Sequence, residues 1–258
     1  MNHLSPCPAG PLIRTLACCI ALTFAATAED YFVFTSFRGN GEDGLHLALS
    51  TNGYHWQSPG GDRSFLKPEI GGYKLMRDPC LALGPDGVFH LVWTTGWKAD
   101  RGPTIGYANS KNLIQWSPQR AIELMKEEPA VRNLWAPEIF YDRSSSRWLV
   151  FWSSTIPGRF PNTDGTGDEG YNHRIYATTT RDFSDFTPAK LFFEPGFNVI
   201  DATLLAAEGK FYLVFKDERK NPVKKNLRYA VGERPEGPFK PPSEPFTPLP
   251  AEGAKPPT

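Results

Sequence analysis

The chain of 258 residues carries 28 Lys and Arg against 28 Asp and Glu, so it lacks the positive excess that attracts nucleic acid or an anionic membrane surface. Its 40% apolar content supports one large globular domain or two small ones. Seven Trp, nine Tyr and 18 Phe among 25 Pro and 23 Gly suit short strands joined by many turns, and argue against long helices.

Residues 1–28 read as a secretory signal peptide. Arg14 precedes the apolar run from Thr15 to Ala26, and Ala26-Thr-Ala28 fits a small-residue cleavage site. A run of a dozen residues is short of the ~20 that a membrane span needs. The mature chain is therefore expected to be secreted or periplasmic, with Leu16-Ala-Cys18 as a weak lipoprotein-type alternative. Three of the four cysteines fall in this leader, which leaves Cys80 alone in the mature chain with no internal disulfide.

After the leader, one pattern of strands recurs. Tyr31-Phe-Val-Phe-Thr-Ser-Phe, Leu45-His-Leu-Ala-Leu-Ser and Tyr54-His-Trp-Gln-Ser-Pro form a partial unit without a first strand. A full unit opens at Asp78, turns through Gly84-Pro-Asp-Gly, and continues with Val88 to Thr95, Ile105 to Ser110 and Ile114-Gln-Trp-Ser-Pro. A second runs from Trp135-Ala-Pro-Glu through Trp148-Leu-Val-Phe-Trp and Arg174-Ile-Tyr-Ala to Asp185-Phe-Thr-Pro. A third runs from Ile200-Asp-Ala-Thr through Phe211-Tyr-Leu-Val-Phe-Lys and Leu227-Arg-Tyr-Ala to Gly237-Pro-Phe-Lys. Trp56, Trp116, Phe186 and Phe239 fall in register, each on a fourth strand. Four-stranded units recurring about every 60 residues predict an all-β propeller over 29–258, with a β-sandwich as the alternative. Trp148 and Trp152 are expected to pack between blades.

Inner strands of a propeller line one channel, so the openings of successive units converge. Here they carry Asp78, Glu138 and Asp201. A single Asp-Pro is ordinary turn chemistry, but Asp201 lies among Phe197, Val199, Ile200 and Leu204, where a carboxylate is costly unless bonded or used.

Taken together, Asn40-Gly-Glu-Asp-Gly-Leu-His, Arg77-Asp-Pro, Trp135-Ala-Pro-Glu-Ile, Ser154-Thr-Ile-Pro-Gly-Arg-Phe-Pro161, Asn172-His-Arg-Ile-Tyr and Asn198-Val-Ile-Asp-Ala closely resemble glycoside hydrolase family 43, in its secreted arabinosidase or xylosidase-like branch. The resemblance covers residues 31–248. It implies a five-bladed propeller that hydrolyses α-L-arabinofuranosides or β-xylosides of plant-type polysaccharides with inversion. Asp78 would be the general base and Asp201 the aspartate that orients the acid and tunes its pKa. Inversion needs acid and base on opposite faces of the sugar, separated by roughly 6.5–9.5 Å to admit water. Trp97, Trp135 and Phe197 are candidate platforms for a sugar ring. Arg77, Asn133, Glu138, His173 and Arg228 are candidate partners for its hydroxyls.

The family's acid is a Glu followed by Gly-Pro at the opening of the next blade. Glu236-Gly-Pro238 has those letters on a fourth strand, so Glu252 in Ala251-Glu-Gly-Ala is the positional candidate. The sequence is thus expected to lack most of the last blade and the ring-closing strand. A carbohydrate-binding propeller without turnover is the alternative from another class, and a retaining levan- or sucrose-acting propeller is a third. No cofactor or metal is called for. Asp164, Asp168 and Glu169 around Gly165-Thr-Gly-Asp-Glu-Gly170 leave structural calcium as the one metal alternative.

Overall fold

The computed structural model describes residues 30–98 and 103–247. The leader lies outside them, as does Glu252. Among the described residues there are thirteen β-strands and two short 3-10 turns, and no helix is long and apolar enough to cross a membrane. The strands make four antiparallel sheets. Sheet one pairs β1 (Phe32–Ser36) with β2 (His46–Ser50). Sheet two is β3 (Arg77–Leu83), β4 (Phe89–Thr94), β5 (Ile105–Ser110) and β6 (Arg120–Ile122), and sheet three is β7 (Trp135–Asp142), β8 (Arg147–Ser154), β9 (Arg174–Thr180) and β10 (Lys190–Phe193). Sheet four is β11 (Val199–Ala207), β12 (Lys210–Asp217) and β13 (Leu227–Gly232).

Each sheet is a meander in chain order, and the sheets stack face to face. Because side chains alternate across a strand, a sheet flanked on both sides buries both sets. On β8, Trp148, Val150 and Trp152 enter a core shared with sheet two, where Val92, Ile105 and Tyr107 meet them. Leu149 and Phe151 point the other way, into a core with Val199, Leu213 and Phe215 of sheet four. On β4, Leu91 and Trp93 face Leu45 and Leu47 of sheet one, while Val92 faces sheet three. This double burial explains the near-continuous apolar runs of the second strands. Each fully buried large side chain contributes about 1.5–3 kcal/mol. The inner strands β3, β7 and β11 lie against one another, and β1 joins them through the Thr35 hydroxyl, which donates to the Pro79 carbonyl at 2.5 Å. This is the arrangement of propeller blades around a channel.

Local chemistry repeats with the sheets. At the end of the third strand, Ser50, Ser110 and Thr180 accept hydrogen bonds from the amides two and three residues on. Asn52, Asn112 and Asp182 then cap the next two amides. The turn needs a left-handed residue, supplied by Gly53, Leu113 and Phe183. Three of the four aromatics predicted in register bridge back to the third strand, with Trp116 opposite Ser110, Phe186 opposite Thr180 and Phe239 opposite Gly232, while in the first unit the bridge to Leu49 falls on Gln57, next to Trp56. The outer strands themselves are a correction. Ile114 to Pro118 and Asp185 to Pro188 form only isolated bridges, and pairing resumes at Arg120 and Lys190, because Pro118 and Pro188 have no amide to donate.

Two sheet faces stay open among the described residues. One carries Phe32, Phe34 and Trp56 on sheet one, and the other carries Leu205, Tyr229 and Phe246 on sheet four.

Gly106 on β5 lies under the Trp93 ring, and a Cβ there would come within 2.0 Å of it. The ring is fully buried and has no room to move. Gly106→Ala should therefore lower stability by about 1–3 kcal/mol, read as a reduced denaturant midpoint at unchanged m-value.

Candidate active site

The site is built on one backbone device used three times. β3 is bulged between Arg77 and Cys80, β7 between Trp135 and Glu138, and β11 between Ile200 and Thr203. A bulge leaves its extra residue unpaired and re-aims its side chain. In each case that residue is left-handed: Asp78 at φ 47°, Ala136 at 46° and Asp201 at 55°. Such a conformation costs a non-glycine residue on the order of 1–2 kcal/mol, and aspartate tolerates it better than most.

The bulges set a register that differs from the one expected. Glu138 is not the counterpart of Asp78 and Asp201; Ala136 is. Glu138 falls level with Cys80 and Thr203, two residues along the inner strands. Its Oε2 accepts from the Thr203 hydroxyl at 3.1 Å and lies 3.6 Å from the Cys80 sulfur. Burial raises its pKa to about 7, with nearby Asp201 adding to the rise and the two hydrogen bonds opposing it. The free Cys80 thiol is itself pushed up by burial and by Glu138.

Asp78 and Asp201 face a common space. They line both a cavity of about 450 Å³ that reaches Phe34 and Glu138 and an adjoining one of about 190 Å³ walled by Arg77, Thr94, Trp97 and Trp135. Asp78 Oδ2 accepts from the Thr94 hydroxyl at 2.9 Å. Asp201 keeps half its side-chain surface open to the cavity while protein crowds the rest. That crowding raises its pKa to about 6, Lys216 at 3.9 Å pulls it back, and the Asp78 carboxylate raises it again. Lys216 is shared with Glu218 at 2.9 Å, and Glu218 is held in turn by Lys225.

The rim is a run of stacked cations and rings. The Arg77 guanidinium sits 3.8 Å over Trp97 and 4.9 Å over Phe37, and the Trp135 indole N–H donates to the Trp97 carbonyl at 3.1 Å. Behind it, Trp135 packs on Tyr171 and His173.

The structure thus gathers Arg77, Asp78, Trp97, Trp135, Glu138 and Asp201 around one space. Four other expected contacts line neither cavity. Asn133 is buried with its amide spent on the Ser153 carbonyl and the Thr155 N–H. His173 is buried beside Asn198, and burial drops its pKa to about 3, so it is neutral. Phe197 is capped by the Arg219 guanidinium at 4.3 Å. Arg228 is committed to the Ser243 carbonyl and to Asp217. In the acidic loop, Asp164 accepts from Asn172, and Asp168 is paired with Lys220 and Lys225. Thr94 and Lys216 were not singled out from the sequence. They occupy one position, since Thr94, Ser153 and Lys216 pair with the residue preceding each bulge. A cation at the end of the apolar run Phe211 to Phe215 was the available signal. A larger cleft of about 630 Å³ lies near Arg120 and Phe186; its acidic lining residues, Glu123, Glu127, Glu128 and Asp185, lie outside the strands and away from the bulged inner strands.

The family described as "Probable glycosyl hydrolase domain", a relative of glycoside hydrolase family 43, matches residues 29–234. The chain belongs to this glycosyl hydrolase family. Over 96 residues, 35% of the chain, it is 33% identical to an α-L-arabinofuranosidase of Bifidobacterium longum subsp. longum, of whose length it spans 9%. Among solved structures it is similar to a thermostable family-43 glycoside hydrolase, with TM-score 0.61 and 15% identity over 87% of this chain and 71% of that one. It is also similar to a xylan β-1,4-xylosidase of Bacillus halodurans, with TM-score 0.57 and 16% identity over 86% of this chain and 41% of that one. At these identities the structural likeness speaks for the fold. The chain spans less than half of the xylosidase and under a tenth of the arabinofuranosidase.

Two measurements check the electrostatics of this site. Lys216→Met should move the carboxyl titration of Asp201, followed by carbon NMR, above about 6; an unmoved midpoint would show that Lys216 does not act on it. Glu138 has its folded pKa raised above the unfolded value. Its favourable share of stability is therefore full below about 4.5 and lost as pH rises through about 7. Glu138→Gln should accordingly shrink the fall in stability between pH 5 and pH 8 by on the order of 1–3 kcal/mol relative to the parent.

Proposed function

We propose that this member of the family is an exported, inverting glycosidase acting on α-L-arabinofuranosides or β-xylosides. The observation that carries the reading is the pair of carboxylates, Asp78 and Asp201, set on equivalent left-handed bulges and facing one cavity rimmed by Trp97 and Trp135. A carboxylate on such a seat is expensive to keep twice unless both are used.

In this reading Asp78, fixed on one oxygen by Thr94, takes a proton from water as that water attacks the anomeric carbon. Asp201 lends negative charge that raises the pKa of the acid, which protonates the departing oxygen. Glu252, outside the described residues, is the candidate acid. Trp97 and Trp135, which line the smaller cavity, offer a platform for the sugar ring, and Arg77 beside them offers donors to its hydroxyls. The named arabinofuranosidase among the similar proteins supports the substrate class, and the leader pattern in residues 1–28 supports export.

Turnover of aryl arabinofuranosides and xylosides, with product configuration followed by proton NMR, tests the proposal. The first-formed sugar should carry the inverted anomer, and a retained anomer would replace this mechanism with a nucleophilic one. Asp78→Asn should slow turnover by about 10²–10⁴-fold; a variant within a few-fold of the parent refutes the base assignment. Binding of xylo- or arabino-oligosaccharides without turnover would make the chain a carbohydrate-binding propeller instead.

A further inference from the structure

Asp78 is linked to a neighbouring blade through Thr94 of its own sheet. Thr94 ends β4 and is 2% exposed. Its Oγ1 stands 2.8 Å from the Ala136 amide nitrogen and 2.9 Å from Asp78 Oδ2. A hydroxyl has one proton to give and two lone pairs with which to accept. The amide can only donate, so the Thr94 oxygen accepts from Ala136 and donates its own proton to Asp78 Oδ2. The direction of both bonds is fixed without ambiguity.

Ala136 is the bulge residue of β7, the one seat of the three that bears no carboxylate. Its amide is free for Thr94 because the bulge removes it from the ladder with β8. The empty seat therefore has a use: its backbone, rather than its side chain, reaches across the interface between sheets two and three to Thr94, which in turn holds Asp78.

We infer that Thr94 is the positioning residue of Asp78, a relay that locks one carboxylate oxygen against the Ala136 amide and leaves the other to face water in the cavity. The inference rests on the reading of Asp78 as the base. A base held in one orientation transfers its proton in a fixed geometry, and small angular errors there cost rate rather than affinity.

The test compares Thr94→Val, Thr94→Ser, Asp78→Asn and the double variant Asp78→Asn/Thr94→Val on an aryl glycoside. Thr94→Val should lower kcat by about 10–100-fold with KM within about twofold. Thr94→Ser, which keeps the hydroxyl, should recover to within about threefold of the parent. The double variant should be no slower than Asp78→Asn, because without the base there is nothing left to position. Thr94→Val at parental kcat, or a Thr94→Val loss that adds in full to that of Asp78→Asn, overturns the inference while leaving the base in place. Full activity of Asp78→Asn sinks the base assignment and the positioning role with it. Hydrogen exchange at the Ala136 amide gives a readout independent of turnover. It should speed up in Thr94→Val and stay slow in Thr94→Ser, and an unchanged rate in Thr94→Val overturns the relay whatever the kinetics show.

Discussion

A sheet packed on both faces has no solvent side, and every strand within it must supply two apolar sets instead of one. That constraint runs through the whole protein. β8 divides its side chains between two cores, Trp148, Val150 and Trp152 to one and Leu149 and Phe151 to the other, and β4 does the same with Val92 against Leu91 and Trp93. Once the sheets are stacked in this way, their first strands have nowhere to go but together. Convergence of the inner strands is a by-product of packing, and the site inherits its position from it.

What the packing does not provide is a reason for polar groups to turn toward the channel. The bulges do that. Each breaks the ladder for one residue and swings it into the left-handed region, where its side chain leaves the plane of alternation. The strand next door then answers at a fixed station, with Thr94 for Asp78 and Lys216 for Asp201. The two aspartates therefore have different electrostatic surroundings although their backbones match. One is tied to a neutral hydroxyl, and the other lies between a lysine and the first aspartate. Below them Glu138 stays protonated more readily than a solvated glutamate, which keeps a third charge from accumulating in the same small volume at mildly acidic pH.

Much of this was legible in the sequence because double burial writes long apolar runs at a regular interval, and because the order of strand, turn and aromatic repeats. Asp78 and Asp201 stood out for the same reason, as charges at the head of such runs. The register of the middle unit was not legible from its carboxylate. Aligning Glu138 with the aspartates follows the chemistry and misses the backbone, whereas Pro79 and Pro137, each next to the bulged residue, carry the register directly. Asn133, His173 and Arg228 show a different limit. Their residue types suit sugar hydroxyls, but the backbone and side-chain groups that consume their hydrogen bonds come from 20 or so residues away for Asn133 and His173, and from Ser243 and Asp217 for Arg228. Nothing in a local stretch of sequence announces those partners.

Ala136 has a wider meaning as well. A seat that is already left-handed, already outside the ladder and already aimed at the channel holds aspartate in two blades and alanine in the third. The scaffold thus separates the cost of presenting a group from the choice of which group is presented. Divergence among proteins built on this fold can proceed by exchanging single side chains at pre-formed stations, with no change to the cores that hold the blades together.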